Sequence, residues 1–445
     1  MIGKLTTNYQ LLTTNAIKWV KNNRFEAILI ALILMIGAFL RLYRIDEYMT
    51  FLGDEGRDVI VVRKLLVDFD PILVGPGTSI GNMYLGPLYY YMMAPALLLA
   101  NFSPVGPAVM IALLGVLTIF LVWKITREWF GPPAGGLAAL LYATAPIVII
   151  YSRSSWNPNI MPFFALLCIY SIWRIFVQRT TGLWPGQERF KWLIVLGVSY
   201  AFILQSHYLG LLLAPVIGLF WLLVFLQFRK AKNTKYFIQN TIYSVLIFIL
   251  LMSPLVLFDA RHGWRNFSAV KRFFFERQTT VSARPWTALP KLWPIIEKIN
   301  TRLLSGTYSL VGRFLSIFFG LGILLWLVRF IQYKTKKDIK RASAFLILFV
   351  WLGVALVGLG VYKQEIYDHY YGFFFPAPFI LFGGIVSTLV DTVKEKIFLL
   401  RWLTYLIIFL TAVFLLLLNI RYSPLQYPPN RQLQRTEEVA QKIVE

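Results

Sequence analysis

An acidic pair, Asp54-Glu55, follows the first long apolar segment of the chain, within the stretch 51–58 (FLGDEGRD). Apolar residues then recur at spacings of three, four and three before Pro71, at Val59, Val62, Leu66 and Phe69. This spacing predicts a helix with one apolar stripe, which is typical of a helix lying on a membrane surface. The acidic pair would then lie at the rim of the bilayer, where water meets lipid.

Two interpretations of the pair remain open. Asp54 could cap the helix and Glu55 could occupy its first turn, because acidic side chains interact favourably with the positive end of a helix dipole. Alternatively, Asp54, with Glu55 beside it, could be the catalytic carboxylate that removes the proton of an acceptor hydroxyl. One positioned carboxylate suffices for inverting glycosyl transfer from a phosphate-linked donor, since phosphate leaves without being protonated.

Two further motifs combine aromatic and polar residues. The tyrosine-rich segment 84–91, which includes Tyr89, could form the wall of a sugar or lipid site, or belong to an interfacial aromatic belt. The loop 151–159 carries Arg153, Trp156 and Asn157. Arg153 could bind a substrate phosphate or extend towards lipid headgroups, and Trp156 and Asn157 could contact a sugar.

All three histidines of the chain are candidates for substrate binding. His207 interrupts a long apolar run, where polar groups are costly unless they line a cavity. Arg261 and His262 begin a long loop and could form a second phosphate clamp or only a turn at the end of a helix. His369 lies among aromatic residues, which is also ordinary at a membrane interface.

A divalent metal is the only cofactor that these residues suggest. Glu55, His207 and His369 could ligate such a cation, although no spacing resembles a dedicated metal motif. Cys168 is the only cysteine, so neither a disulfide within the chain nor a cysteine-based metal site is possible.

The composition predicts an all-α polytopic integral membrane protein. Of 445 residues, 58% are hydrophobic and 15% are charged. About eleven apolar segments are long enough to span a bilayer: 25–43, 105–123, 134–151, 160–177, 192–206, 209–228, 241–258, 307–330, 343–361, 372–390 and 402–420. Residues 83–100 are too short to cross and predict a re-entrant or interfacial helix.

Basic residues predict the orientation in the membrane, since they favour the cytoplasmic side. A break near 205–209 places the basic loops on that side together with the amino terminus; their residues include Lys124, Arg127, Arg179, Lys191, Arg229, Lys232, Lys334, Lys340 and Lys394. The formal charge of +23 is thereby explained without nucleic-acid binding. A membrane-embedded domain, 1–420, then has two large external loops, 44–104 and 259–306, and a polar external tail, 421–445. Loop 259–306 is itself basic, which this rule does not explain.

The order of these motifs resembles the type C (GT-C) glycosyltransferases, in particular family 39, which includes protein O-mannosyltransferases and lipid A aminoarabinose transferases. The resemblance covers roughly residues 25–270 and is carried by Asp54-Glu55, the Gly-Pro-Leu-Tyr-Tyr-Tyr segment from Gly86, and the stretch from Phe130 through Arg153. It implies that Asp54 is the catalytic residue, that the first external loop carries amphipathic helices, and that the donor is a polyprenyl-phosphate sugar. The chain departs from the family where Asn157 replaces an acid and His207 replaces a lysine.

These features together predict a membrane glycosyltransferase that moves a hexose or pentose from a polyprenyl phosphate to a protein, lipid or glycan outside the cytoplasmic membrane. The main alternative is a polytopic transporter or a flippase for lipid-linked sugars, with the break at His207 as its discontinuous helix. A relative that binds a lipid-linked sugar without transferring it is a third interpretation.

Overall fold

The computed structural model describes residue 14 and residues 17–78, 83–177, 188–230, 234–276, 280–332, 336–394 and 396–445. Within these ranges the regular structure is helical, apart from two isolated backbone bridges that join Gly77 to Tyr84 and Val281 to Tyr362.

Residues 17–22 are helical. The α-helices that follow, numbered in chain order, are α1 (Arg24–Leu42), α2 (Ile45–Tyr48), α3 (Gly53–Val67), α4 (Leu88–Leu99), α5 (Val105–Phe130), α6 (Pro132–Thr144), α7 (Pro146–Tyr151), α8 (Met161–Val177), α9 (Glu188–Ser206), α10 (Leu213–Lys230), α11 (Thr234–Arg261), α12 (Arg265–Phe275), α13 (Leu289–Leu303), α14 (Ser309–Gln332), α15 (Lys336–Gly360), α16 (Ala377–Val393), α17 (Phe398–Arg421) and α18 (Gln432–Val444). Short 3-10 helices lie at Asn157–Ile160, Tyr208–Leu212, Pro285–Ala288, Asp368–Phe374 and Pro424–Gln426.

The all-α polytopic architecture predicted from the sequence is confirmed, and each of the eleven apolar segments contains helix. The count of about eleven spans is not confirmed. Among the described residues, 8 helices are long and apolar enough to cross a membrane, or up to 9 if the bent pair Asp368–Phe374 and Ala377–Val393 forms one span. One reason is Pro146, which starts α7 after an extended Ala145 and so divides the predicted span 134–151.

Part of the apolar stripe of the first external segment packs on protein, and its position on a membrane surface stays a prediction. Val62 is fully buried in a cluster that includes Tyr90 of α4, and Leu66 packs against that cluster. Helix α3 ends at Val67, so Phe69 lies beyond it and is 83% exposed. The sequence predicted the apolar stripe but not the surface that covers it. Apolar side chains of the stripe can be buried by α4 as well as by lipid, because the hydrophobic effect does not distinguish the two.

The break predicted near 205–209 is confirmed, and the re-entrant or interfacial position of residues 83–100 stays a prediction. Helix α9 ends at Ser206, His207 is extended with φ −163°, and the chain then forms the 3-10 turn before α10. Helix α4 is 12 residues long with Pro95 inside, as expected for a segment too short to cross a bilayer. Gln205 joins these regions, because its Oε1 accepts a 3.3 Å hydrogen bond from Leu88 N–H.

The segments predicted to be external meet at one end of the bundle. Hydrogen bonds between loops distant in the sequence connect them: Arg153 to Tyr43, Asn157 to Ser206, Tyr84 to Asn266, Arg302 to Asp368 and Arg431 to Glu47. The tail 421–445, which contains α18, therefore lies beside the first external loop.

Ion pairs join helix ends at the opposite end of the bundle, which is the predicted cytoplasmic side. The pairs are Glu26 with Arg127, Glu128 with Arg174 and Asp391 with Arg341. Three basic residues counted towards this orientation, Arg179, Lys232 and Lys334, lie outside the described residues. Which compartment each end faces stays a prediction.

Candidate active site

Asp54 is a half-exposed carboxylate held by two elements of the fold. It is the second residue of α3, and its side chain is 50% exposed. Oδ1 accepts a 2.8 Å hydrogen bond from Arg57 Nη1, one helical turn later, and Oδ2 accepts a 3.1 Å bond from Trp156 Nε1 in the loop after α7. The carboxylate is therefore oriented by protein donors while its exposed edge can meet a ligand.

Glu55 caps α3, the role that one interpretation of the sequence gave to Asp54. Its side chain is buried, and Oε2 accepts a 3.0 Å bond from the backbone N–H of Leu52, the residue before the helix. Oε1 accepts a 2.9 Å bond from the hydroxyl of Ser154. Glu55 thus joins the start of α3 to the loop that carries Trp156. Its predicted catalytic role stays a prediction, and its contacts are those of a positioning residue.

Arg57 lies between two carboxylates. It contacts Asp54 through Nη1, and it donates through Nε and Nη2 to Oδ1 of Asp58 at 3.0 and 2.7 Å. Asp58 is fully buried, and its Oδ1 also accepts a 2.9 Å bond from the Tyr90 hydroxyl of α4. Burial raises the pKa of the Asp58 carboxyl to about 6, against the opposing effect of Arg57.

A row of rings leads from Asp54 to the break between α9 and α10. The Trp156 ring lies 4.7 Å from the His369 ring, and His369 lies 5.7 Å from His207. Nδ1 of His207 accepts from Leu209 N–H at 3.2 Å, so Nε2 carries the proton of the neutral ring. Burial lowers the pKa of His207 to about 3, which keeps this ring neutral at pH 7.

Tyr89 and Asn157, two further predicted site residues, fix the loop that carries Trp156. The hydroxyl of Tyr89 shares a 2.8 Å hydrogen bond with Ser155, and Asn157 Nδ2 donates to the Ser206 carbonyl at 2.6 Å. Both side chains are buried. The structure thus ties α4, the loop and the end of α9 together behind the row of rings.

Arg153, predicted to bind the donor phosphate, is 1% exposed and bonds to protein. Nη1 donates to the Leu40 carbonyl at 2.9 Å and Nη2 to the Tyr43 carbonyl at 2.6 Å, so the guanidinium satisfies the last carbonyls of α1. Its carbon Cζ also lies 4.9 Å from the Tyr48 ring centre. These contacts describe a structural residue that attaches the second external loop to the first span.

Arg261 and His262 lie at the exposed end of α11. The His262 ring stacks on Phe258 at 4.1 Å, and its Nδ1 is 2.7 Å from the Phe258 carbonyl oxygen. The described part of the chain holds no group of three or more His, Cys, Asp or Glu side chains that could bind a metal. The suggested metal at Glu55, His207 and His369 therefore has no preformed site among these residues and stays a prediction.

Sequence reasoning missed the network of Arg57, Asp58 and Tyr90. A signal was present, because residues three and four apart share one face of a helix, and Arg57 and Asp58 follow Asp54 by three and four positions. The contact with Tyr90 had no such signal, since it depends on how α4 packs against α3.

Comparisons with known proteins bear on the fold of the chain. The family described as dolichyl-phosphate-mannose-protein mannosyltransferase matches residues 85–258. Two solved membrane enzymes, both type C glycosyltransferases, share the fold over most of this chain. The chain has the type C glycosyltransferase fold. The resemblance predicted from the sequence is confirmed at that level.

The two structures with the GT-C fold differ in the lipid they hold. The archaeal oligosaccharyltransferase AglB from Archaeoglobus fulgidus, in complex with an inhibitory peptide and a dolichol-phosphate, matches with TM-score 0.59 and 16% identity over 93% of this chain and 57% of that chain. ArnT from Cupriavidus metallidurans, bound to undecaprenyl phosphate, matches with TM-score 0.52 and 17% identity over 83% of this chain and 61% of that chain. The chain thus spans less than two thirds of either. No curated protein matches its sequence.

Proposed function

We propose that this protein is an inverting glycosyltransferase that moves a sugar from a polyprenyl phosphate to an acceptor hydroxyl on the external face of the membrane. The GT-C fold, the match to a dolichyl-phosphate-mannose transferase family and the lipid phosphates in both neighbours support this class of donor. The sugar is a hexose or pentose, and the acceptor is a protein, lipid or glycan.

The observation that carries the proposal is the carboxylate of Asp54, half-exposed and held by Trp156 and Arg57 beside a row of aromatic rings and histidines. A general base must be accessible and oriented at once, and Asp54 is both. The rings of Trp156 and His369 provide an apolar wall on which a sugar can rest.

In the proposed reaction, Asp54 takes the proton of the acceptor hydroxyl as its oxygen bonds to the anomeric carbon of the donor sugar. The bond from that carbon to the phosphate oxygen breaks on the opposite side, its electron pair leaves with the polyprenyl phosphate, and the configuration inverts. Phosphate needs no protonation to leave, so a second carboxylate is not required. The Nε2–H group of neutral His207 can donate a hydrogen bond to a phosphate oxygen without adding a buried charge.

The alternative of a transporter or flippase depended on the discontinuous helix at His207. In the structure, that break bonds to the second external loop through Asn157 and lies at the same end of the bundle as Asp54. A polar site at one membrane face favours interfacial chemistry over a substrate path through the midplane.

The test compares Asp54→Asn with Asp68→Asn, which alters an exposed acid at the other end of α3. Purified membranes with equal protein levels receive a labelled polyprenyl-phosphate sugar, and label transferred to endogenous acceptors is counted. We expect Asp54→Asn to lower transfer by about 100-fold or more, as for loss of a general base, and Asp68→Asn to leave it unchanged. Full transfer by folded Asp54→Asn would show that Asp54 is not the base.

A further inference from the structure

The tail 421–445 packs on the short helix α2, in the loop that leads to the candidate active site. The hydroxyl of Tyr48 donates a 3.0 Å hydrogen bond to the Tyr427 carbonyl, 379 positions later in the chain. Arg431 N–H donates to the Glu47 carbonyl at 2.9 Å, and the Arg431 guanidinium pairs with the Glu47 carboxylate at 3.5 Å. The tail is therefore attached to α2 at several points before α18 begins.

The turn into α18 depends on this attachment. Arg431 has a left-handed backbone conformation, with φ 50°, which is unfavourable for a residue with a Cβ atom. Such a conformation persists only where surrounding contacts offset its cost. The backbone and side-chain bonds from Arg431 to Glu47 are contacts of this kind. The path of the tail is thus fixed by α2 and not by the tail alone.

Leu433 anchors the first turn of α18 in an apolar cluster. Its side chain is 5% exposed and is buried in one cluster with Ile45 and Met49, on either side of α2, and with Ala108 and Ala112 of α5. Because apolar burial is the main favourable contribution to such packing, this residue holds the start of α18 against the first external loop.

The neighbouring residue, Gln432, contacts the segment that leads to Asp54. Its Oε1 accepts a 2.9 Å hydrogen bond from the backbone N–H of Phe51. Phe51 also packs against the cluster that buries Leu433. The Phe51 ring faces α3, because a Cβ atom added to Gly56 would lie 3.8 Å from Phe51 Cζ. The tail therefore contacts the segment before α3 through both backbone and side chain.

Two consecutive backbone amides before α3 are held by different parts of the chain. The tail holds the N–H of Phe51, and Glu55 holds the N–H of Leu52 at 3.0 Å. Asp54 follows two residues after Leu52, so movement of this segment would shift its carboxylate relative to Trp156. A displacement of about 1 Å at a reacting group can lower a rate by about 100-fold. Contacts that fix this segment can therefore affect the reaction without touching substrate.

We propose that Gln432 is a positioning residue for Asp54, and that Leu433 anchors the tail so that Gln432 can hold the Phe51 amide. The proposal rests on the proposed function, since it takes Asp54 as the base. It extends the candidate active site to the tail, which follows the last predicted span. Gln432 contacts Phe51 and acts through the segment before α3.

The experiment uses the full-length protein with matched variants on α18. Gln432→Met removes the acceptor at nearly constant length, and Gln432→Glu retains an acceptor. Gln441→Met is the control, because Gln441 lies on the same helix at an exposed position. Leu433→Ala weakens the anchor, and its control is Val439→Ala, at a residue that is 57% exposed.

Two quantities are measured for each variant. The first is hydrogen–deuterium exchange of the backbone amides of residues 50–56 in detergent. The second is the rate of sugar transfer at saturating donor, together with the KM for the donor, in purified membranes supplied with a labelled polyprenyl-phosphate sugar. Exchange reports on the segment before α3 whether or not Asp54 is the base.

We expect Gln432→Met and Leu433→Ala to increase the rate of exchange at Phe51 and in the first turn of α3. The transfer rate should fall by about 3- to 10-fold, the range for loss of one hydrogen bond, at unchanged donor KM. Gln432→Glu, Gln441→Met and Val439→Ala should match wild type in both measurements. A displaced base slows the reaction of a donor that still binds, which is the reason for this separation.

Wild-type exchange in both Gln432→Met and Leu433→Ala would show that the tail does not hold the segment before α3. Faster exchange at an unchanged transfer rate, a raised donor KM at an unchanged rate, or equal losses in Gln432→Met and Gln432→Glu would overturn the positioning role. Failure of the proposed function is seen separately, as full transfer by Asp54→Asn, and exchange would then still decide whether the tail holds this segment.

Discussion

Asp54 and Glu55 are neighbours in the chain, but their side chains lie in different environments, which favour different roles. Glu55 is 4% exposed, with both oxygens bonded to the protein, whereas half of the Asp54 side chain is accessible. A base must exchange a proton with a substrate, which a fully bonded buried carboxylate does poorly. The geometry therefore favours Asp54 as the reacting group and Glu55 as the residue that fixes the start of α3.

Loss of the hydrogen bond that Trp156 donates to Asp54 should lower the turnover number without abolishing activity. Trp156→Phe keeps an aromatic ring against His369 but removes the N–H that fixes Oδ2 of Asp54. A hydrogen bond to a charged group contributes about 1.5–3 kcal/mol, so we expect the turnover number to fall by about 10-fold or more. The measurement is the turnover number and KM, determined separately. Trp286→Phe, at a tryptophan that is 63% exposed, is the control.

A larger change in KM than in the turnover number for Trp156→Phe would mean that Trp156 mainly binds the sugar. Equal losses in Trp156→Phe and Trp286→Phe would show a general effect on the membrane protein and not on Asp54.

Asp58 predicts a pH dependence of stability. Its pKa is raised from the ordinary 3.8 to about 6 by burial, so the folded protein holds the ionised carboxylate less favourably than the unfolded chain does. Below both pKa values, Asp58 is protonated in both states and does not lower the free energy of unfolding. As the pH rises from about 4 to about 6, ionisation lowers this free energy progressively, and above pH 6 the loss reaches about 3 kcal/mol. Asp58→Asn removes this titration. We expect its melting temperature, relative to wild type, to rise as the pH is increased from 4 to 7.

The control for Asp58→Asn is Asp70→Asn, which changes an exposed acid in the same loop. Its melting temperature should follow that of wild type at every pH. A constant difference between Asp58→Asn and wild type across this range would contradict a raised pKa at Asp58.

Residue types and spacing correctly predicted that the acidic pair lies at the start of a helix and that the helix breaks at His207. They did not predict the partners of the charged groups. Arginine at a membrane interface suits a phosphate and a helix-end carbonyl equally well, and the Leu40 carbonyl that Arg153 contacts lies 113 positions earlier in the chain. Only packing of the second external loop against α1 distinguishes the two. For the same reason the sequence did not indicate the contact between Asp58 and Tyr90, which depends on how α3 packs against α4.

At the scale of elements, buried hydrogen bonds hold the short segments around Asp54 in place. Helix α3 is joined to the second external loop by Glu55 and Ser154, that loop to α1 by Arg153, and the same loop to α9 by Asn157. Apolar periodicity predicted where the helices lie because each must bury or cover a stripe. It could not predict these junctions, which depend on single polar atoms.

Arg153 is the junction that can be tested most directly. Arg153→Lys keeps the charge, but one ammonium group cannot reproduce the planar fork that reaches both the Leu40 and Tyr43 carbonyls. We expect a loss of about 1–3 kcal/mol in stability, seen as a lower melting temperature in detergent, with little change in the KM for the donor. The exposed Arg265→Lys serves as control. A raised donor KM at unchanged melting temperature would restore Arg153 as a phosphate ligand.

At the scale of the whole molecule, the two ends of the bundle have different chemistry. One end carries the half-exposed Asp54 and the row of rings, and the other carries ion pairs between helix ends such as Glu26 with Arg127. Interfacial transfer from a lipid phosphate requires this arrangement, since reacting groups must lie at the level of the headgroups. The proposed function therefore depends on which side of the membrane the Asp54 end of the bundle faces.

The sidedness can be measured by labelling single introduced cysteines in sealed cells with a maleimide that does not cross membranes. Cys168, the only native cysteine, is buried, so it need not be removed. Asp68→Cys beside α3 and Glu437→Cys in the tail are both at exposed positions, and we expect both to be labelled without permeabilisation. The tail bonds to the first external loop, because Arg431 N–H donates to the Glu47 carbonyl and Phe51 N–H donates to Gln432 Oε1 at the start of α18. Arg229→Cys, at the end of α10, should react only after the membrane is opened. Labelling of Arg229→Cys in intact cells, with protection of Asp68→Cys, would place Asp54 in the cytoplasm and contradict an external acceptor.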